Sequence, residues 1–307
     1  MNMAEIEQIS AHGLAGDFRL REPMRRHTSW RTGGAADRGY FAKDLADLTR
    51  FIRTIPRDEP VYFVGLGSNL LVRDGGLRGT VVFTHWALRE LALDAQDRSL
   101  VHAQGGVASP KVARFAAVHE FEGAEFLAGV PGTIGGALAM NAGCYGSETW
   151  EAVERVMTLG RDGELRMRTR EDFEIGYRTV IPRFPMEEWF VAAWLRIPKG
   201  DGQRSRARIK EFLQRRIASQ PLELPNAGSV FRNPPGDYAA RLIESCGLKG
   251  RRIGGAQVSP KHANFIVNVD CASAADIEAL IDEVRETVKA KHGVELEREV
   301  KIIGERA

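Results

Sequence analysis

Residues 61–71 read Val61-Tyr62-Phe63-Val64-Gly65-Leu66-Gly67-Ser68-Asn69-Leu70-Leu71. Two β-branched and two aromatic residues in an unbroken apolar run predict a short buried strand, and the glycine pair predicts its end. A second segment of the same kind follows: Ala128-Gly129-Val130-Pro131-Gly132-Thr133-Ile134-Gly135-Gly136-Ala137. In both, the missing β-carbons let consecutive backbone N–H groups converge on an anion, and Ser68 and Thr133 add hydroxyl donors. Each is also what a plain tight turn looks like, but two such loops in one region favour a pyrophosphate ligand. Neither is an ordinary dinucleotide signature. The first has Leu70 where G-x-G-x-x-G needs its last glycine, and no G-x-x-x-x-G-K-[ST] occurs, so the Rossmann and P-loop readings both fail on residues.

Outward from the first loop, Leu45, Leu48, Phe51, Ile52 and Ile55 follow helical spacing within 43–55, and 81–83 and 100–103 look like strands. Gly105-Gly106 separates the latter from a helix at about 111–120. Segments 152–159 and 164–169 flank Asp162-Gly163, a pair suited to the positive φ angles of a hairpin turn, and 189–197 reads as a further strand. The cluster Pro198-Lys199-Gly200-Asp201-Gly202 breaks the pattern and predicts the main domain boundary. Beyond it come a basic helix at 205–220, a helix at 238–246 capped by Gly247, a strand at 265–269 and a long helix at 273–292. That last helix opens on Ser273-x-x-Asp276, which resembles a capping box. An alternating segment, 294–303, closes the chain as a strand, so that strand, helix and strand suit a crossover unit on a small sheet.

Composition narrows the function classes. The 307 residues, with 43% hydrophobic, are enough for two or three packed lobes. A net charge of +2 gives no global attraction to nucleic acid or anionic membrane. Cys144, Cys246 and Cys271 form no C-x-x-C pair and are odd in number, which argues against a disulfide framework or a zinc site and for a reducing, cytoplasmic setting. No export signal is read at the N-terminus, and no stretch reaches the ~20 apolar residues of a membrane span.

The ordered set of motifs is recognisable as a whole. His27-Thr28-Ser29-Trp30-Arg31-Thr32-Gly33-Gly34, the two glycine loops, Asn141-Ala142-Gly143, Tyr177-Arg178 and Ala227-Gly228-Ser229-Val230-Phe231-Arg232-Asn233-Pro234 resemble the UDP-N-acetylenolpyruvoylglucosamine reductase family. The likeness runs on through Ile253-Gly254-Gly255-Ala256 to Glu297-Arg298-Glu299-Val300 and so covers nearly the whole chain. It implies an α+β fold: a two-subdomain FAD-binding region of the vanillyl-alcohol-oxidase (PCMH) type plus a smaller α+β substrate-binding domain. The corresponding divisions are an N-terminal arm at 1–20, the FAD region at 21–200 and the substrate domain at 201–307.

On the same resemblance, FAD is held by Gly65, Gly67, Ser68, Asn69, Leu70, Gly129, Pro131, Gly132, Thr133, Gly135, Gly136 and Asn141. Binding is expected to be non-covalent, since Gly67-Ser68-Asn69 lacks the tethering histidine of related oxidases. The short stretch between Tyr177 and Trp189 resembles the branch of the family without a tyrosine-bearing insertion. NADPH is the implied hydride donor to the flavin, which then reduces the enolpyruvyl ether of a UDP-amino sugar. Hydride addition pushes charge onto the α-carbon and its carboxylate, so the site needs cations, hydrogen-bond donors and a proton source.

Three residues match those needs. Arg178 corresponds to the family arginine that grips the carboxylate with its planar fork. Ser229 corresponds to the proton donor; a neutral hydroxyl is a weak acid, but a carbanion-like intermediate is a strong base. Glu299 corresponds to the family glutamate that holds the carboxylate or enolate through a shared proton, although taken alone it could belong to a solvated face with Glu295 and Glu297. Tyr177, Asn233 and Lys261 are substrate-binding candidates, and Arg215 and Arg216 are further candidates for the diphosphate. His262 has no second histidine at ligand spacing, and no metal site is read. Partners are expected to be the small-molecule substrate and NADPH, with no nucleic acid, no membrane and a monomeric chain. Two alternatives stay open at this point: another FAD-dependent oxidase on the same scaffold, and a catalytically silent UDP-sugar sensor.

Overall fold

The computed structural model describes residues 13–185 and 187–307; positions 1–12 of the expected N-terminal arm lie outside the described residues. Among the described residues, the chain separates into two compact units that are not continuous halves: 13–20, 38–65 and 79–214 form one, and 21–37, 66–78 and 215–307 form the other.

The first unit is built on two sheets. One has the strand order Asp17–Pro23, Ala35–Phe41, Leu77–Phe83, Val61–Val64, with Val61–Val64 parallel to its neighbour. The helix Leu45–Thr54 packs Leu48, Phe51 and Ile52 into this unit's core. Its start is fixed by the Asp44 carboxylate, which accepts the Asp47 N–H at 2.8 Å. Asp47 itself is fully buried and accepts from Ala15 N–H, Lys43 N–H and the Tyr40 hydroxyl. The second sheet is antiparallel, in the order Leu165–Arg168, Val153–Gly160, Glu188–Arg196, Leu100–Gln104, Leu91–Leu93. Helix Ser109–Val118 and the short helix Ile134–Ala139 share its core with Val101, Val156 and Ala193. At the hairpin turn, Gly163 alone takes a left-handed φ (+75°). Asp162 does not, because its carboxylate turns back to Glu164 N–H and the Arg166 guanidinium.

In the second unit the helix Ala274–His292 buries Ile277, Leu280, Ile281, Val284 and Val288 as its periodicity predicts. The capping box forms as read: Ser273 Oγ accepts from Asp276 N–H at 3.0 Å and Asp276 accepts from Ser273 N–H at 3.0 Å. Gly293 ends the helix in a left-handed conformation, φ +69°. The expected closing strand shrinks to Lys301–Ile303, and the crossover unit does not form. Ile266–Asn268 belongs to a three-stranded antiparallel sheet with Arg252–Ile253 and Ala256–Val258, while Lys301–Ile303 pairs in parallel with Leu70–Val72. Alternation alone could not reveal a partner some 230 residues away in sequence, nor that the backbone of 297–299 bonds to Val230 and Arg232 instead of to a sheet.

Candidate active site

The first glycine loop leaves the strand Val61–Val64 and passes from one unit to the other after Gly65. Within the first unit, a β-carbon on Gly65 would lie 2.4 Å from Thr133 Oγ1, so the absence of a side chain there is what lets the two glycine loops touch. Within the second unit, Gly67 has φ +59° and a β-carbon on it would lie 2.0 Å from the carbonyl oxygen of His27. The second loop is less open to an anion than its sequence suggests. The Ile134 and Gly135 N–H groups donate to the carbonyls of Val107 and Gly105, each at 2.8 Å, and are spent inside the protein.

A cavity of about 280 Å³ lies inside the first unit, with Gly65, Thr133, Gly135 and Gly136 on one part of its wall and Phe63 and Phe190 on another. Nothing lies closer than 4.0 Å to the place a β-carbon on Gly136 would take. Exposed backbone beside aromatic faces fits part of a flavin dinucleotide, whose rings need apolar walls and whose chain needs close backbone approach. Glu188 also lines the cavity. Arg168 binds its carboxylate through two nitrogens, at 2.6 and 3.1 Å, and the Thr158 hydroxyl donates to it at 2.6 Å. Burial alone would raise the Glu188 carboxyl, but these hydrogen bonds and the neighbouring charges of Arg168 and Arg166 hold it below the usual carboxylate range.

Arg178 occupies the two-residue turn between strands Phe173–Gly176 and Thr179–Pro182. Its φ is +54°, a conformation that costs a non-glycine residue about 1 kcal/mol or more. The guanidinium Nη2 donates to Gly143 O at 2.9 Å and Nη1 to Asn141 O at 3.4 Å, with a Glu148 carboxylate oxygen 4.0 Å from Nη1. Asn141, also at positive φ (+41°), is 2% exposed. Its amide donates to Glu148 at 2.7 Å and to Gly176 O at 3.1 Å, and its oxygen accepts from Trp150 N–H. Both amide bonds of this cofactor candidate are thus made to protein groups, one of them at the strand end that leads into the Arg178 turn. Tyr177 is exposed, with the Arg178 guanidinium 5.0 Å over its ring.

Ser229 and Glu299 come together in the second unit around Val230. Glu299 N–H donates to Val230 O at 2.8 Å, one residue beyond Ser229. The strand-like segment is clasped by Asn264, a buried residue that sequence reasoning passed over: Phe231 N–H donates to its oxygen at 3.0 Å and its amide donates to Phe231 O at 2.8 Å. The sequence offered only a polar asparagine between the apolar Ala263 and Phe265 as a signal. Asn69 completes the group, since its amide donates to Glu299 O at 3.1 Å and its carbonyl accepts Lys301 N–H at 3.0 Å. Glu299 is half-buried where Glu297 is exposed.

Other candidates have structural employment. Asn233 Oδ1 accepts Ala239 N–H at the start of helix Ala239–Ser245. Lys261 Nζ donates to Ile217 O at 2.6 Å near the end of helix Gly202–Ser219, a favourable place for a cation. Arg216 Nε bonds Gln220. Among the described residues no cluster of metal-ligating side chains occurs. Burial pushes His262 down from the ordinary histidine range and its ring meets Phe265 edge-on, a packed rather than a reactive setting.

Comparison with known proteins agrees with the motif reading. Residues 39–167 match a family described as FAD binding domain, and residues 220–303 match UDP-N-acetylenolpyruvoylglucosamine reductase, C-terminal domain. A UDP-N-acetylenolpyruvoylglucosamine reductase of Thiobacillus denitrificans is 57% identical, covering 100% of this chain and 98% of its own. One from Nitrosospira multiformis is 54% identical, covering 99% and 94%. The crystal structure of the Thermus caldophilus enzyme of that name aligns with a TM-score of 0.79 at 30% identity, over 94% of this chain and 99% of the other.

Proposed function

The chain belongs to the UDP-N-acetylenolpyruvoylglucosamine reductase family, and from that premise we propose the reaction and the residues that perform it. It reduces UDP-N-acetylglucosamine enolpyruvate to UDP-N-acetylmuramate, a step of peptidoglycan precursor synthesis, with NADPH as reductant and FAD as cofactor. Bound FAD supplies the hydride relay from NADPH to the substrate's double bond. Gly65, Thr133, Gly135 and Gly136 are the residues that would hold it on the cavity side, and Gly67, Ser68 and Asn69 continue the same loop. The protein's own task is to steady the charge that builds on the substrate and to deliver a proton.

Arg178 grips the substrate carboxylate; its fork stays charged at any working pH. Ser229 gives its hydroxyl proton to the α-carbon, and Glu299 holds the carboxylate or enolate. The observation that supports pairing Ser229 with Glu299 is the backbone hydrogen bond from Glu299 N–H to Val230 O, which keeps the two segments side by side. The FAD region is proposed to span 21–200 and the substrate domain 201–307. The enzyme is proposed to be cytoplasmic and monomeric; among the described residues no helix is long and apolar enough to cross a membrane.

An anaerobic visible spectrum tests the reading. Flavin absorbance should bleach with NADPH and return with UDP-N-acetylglucosamine enolpyruvate. Return only on admitting air would replace the reductase with an oxidase, and a protein that neither holds nor takes up FAD would overturn the cofactor assignment. In the same assay Ser229→Ala should spare the bleaching and slow the return at least ~100-fold. Equal slowing of both phases would remove Ser229 from the proton-donor role.

A further inference from the structure

Arg178 and Asn141 are two non-glycine residues in left-handed conformations, and each is tied to the other's segment. The Arg178 guanidinium reaches the carbonyls of Gly143 and Asn141, while the Asn141 amide reaches back to Gly176 O, two residues before Arg178. Strain of this kind persists only where neighbours over-determine it. Glu148 is the neighbour common to both: one carboxylate oxygen accepts from the Asn141 amide at 2.7 Å and the other is 4.0 Å from Arg178 Nη1. Gly143 makes room for this arrangement. A β-carbon there would lie 2.9 Å from Glu148 Cγ and 3.2 Å from Arg178 Nη1. The Arg178 side chain is only 17% exposed, so its direction is set by these contacts and not by solvent.

We infer that Glu148 is a positioning residue for the reaction: by fixing the Asn141 amide and standing beside the guanidinium, it holds Arg178 in the turn conformation from which the guanidinium meets the substrate carboxylate. The inference rests on the proposed role of Arg178. Glu148 touches no reacting atom and acts through that arginine. Its oxygen to Asn141 carries the geometry, so a neutral acceptor of the same length serves in its place.

Flavin-loaded Glu148→Ala, Glu148→Gln, Arg178→Ala and the double variant Glu148→Ala/Arg178→Ala are compared by anaerobic stopped flow. Glu148→Ala is expected to slow flavin reoxidation by the enolpyruvyl substrate ~10- to 100-fold, as expected for a misplaced binding group, with NADPH-driven bleaching within about twofold of the parent. Glu148→Gln, which keeps an oxygen for Asn141, should recover most of that loss and also shows whether the fold tolerates change at this position. In the Arg178→Ala background, removing Glu148 should add little, because the two act as one unit. Losses that multiply in the double variant, a glutamine variant as slow as the alanine one, or equal slowing of both phases would each overturn the positioning role. If Arg178→Ala itself leaves reoxidation unchanged, the underlying reading of Arg178 fails, and the Glu148 proposal with it. A slow Arg178→Ala beside an unaffected Glu148→Ala rejects the Glu148 proposal alone.

Discussion

At the scale of single residues, the glycines of the two loops differ in what they do, although their sequences look alike. Gly67 combines a φ of +59° with a backbone oxygen 2.0 Å from the place of its missing β-carbon. Gly67→Ala should therefore lower stability by about 2–3 kcal/mol or more, measured as unfolding free energy in urea. Gly136 faces open space in a helical conformation, so Gly136→Ala should keep or raise thermal stability, by up to ~1 kcal/mol of helix propensity. It should at the same time lose bound flavin, because a methyl group there enters the cavity. A parallel loss of stability and flavin in both variants would show that the Gly136 face is not a ligand wall. The motifs named Ser229 and Glu299 as candidates. What each neighbour was for was not legible in them. Asn69, Asn141 and Asn233 read as ligand contacts, yet their amides are hydrogen-bonded to protein groups, because an asparagine side chain imitates the backbone and is used wherever a loop leaves a peptide group unpaired.

At the scale of elements, local signals located helices well and strand partners poorly. The helix Ala274–His292 carries its own boundaries in Ser273, Asp276 and Gly293. It is anchored by two contacts no local pattern announces. Asp74 accepts the N–H groups of Ala274 and Ala275 at 3.0 and 2.9 Å. Arg73 meets Glu278 through two nitrogens, each at 2.8 Å, with the glutamate side chain 8% exposed. Removing one partner leaves the other charge uncompensated, so Glu278→Ala should cost about 3 kcal/mol. The Arg73 hydrogen bonds, against the opposing effect of burial, hold the Glu278 carboxyl below its ordinary range. A depressed carboxylate stabilises the fold fully above its unfolded pKa of ~4.3, and that contribution disappears as pH falls through the folded value. Asp47 and Glu188, lowered by hydrogen bonds despite burial, act in the same direction. Unfolding free energy should thus begin to fall below about pH 6.5, where His262 and His102, lowered by burial, take up protons more readily in the unfolded chain, and fall further below about pH 5 as the carboxylates protonate, with a shallower acid limb in Glu278→Ala. An unchanged acid limb in that variant would contradict the linkage.

At the scale of the whole molecule, the C-terminal unit is completed by distant chain. Trp30 is fully buried in its core, donates its indole N–H to Ile266 O at 2.8 Å and accepts the Asn268 amide at 3.0 Å, while Leu70–Val72 supplies the parallel partner of Lys301–Ile303. A fragment of residues 201–307 alone should consequently fail to give a cooperative unfolding transition by circular dichroism. A fragment that melts cooperatively would show that the two inserted segments are dispensable. The sequence by itself determined the family, the helices with their caps, and the order of the motifs that carry the chemistry, because capping, periodicity and loop glycines are short-range consequences of residue type. Only the tertiary structure decided which strands pair, that the first glycine loop serves one unit through Gly65 and the other through Gly67, that Asn264 clasps Phe231 two residues beyond Ser229, and that Glu148 accepts from the Asn141 amide beside Arg178. Those are hydrogen bonds and steric fits between segments from 7 to some 230 residues apart, and they exist only once the chain has brought those segments together.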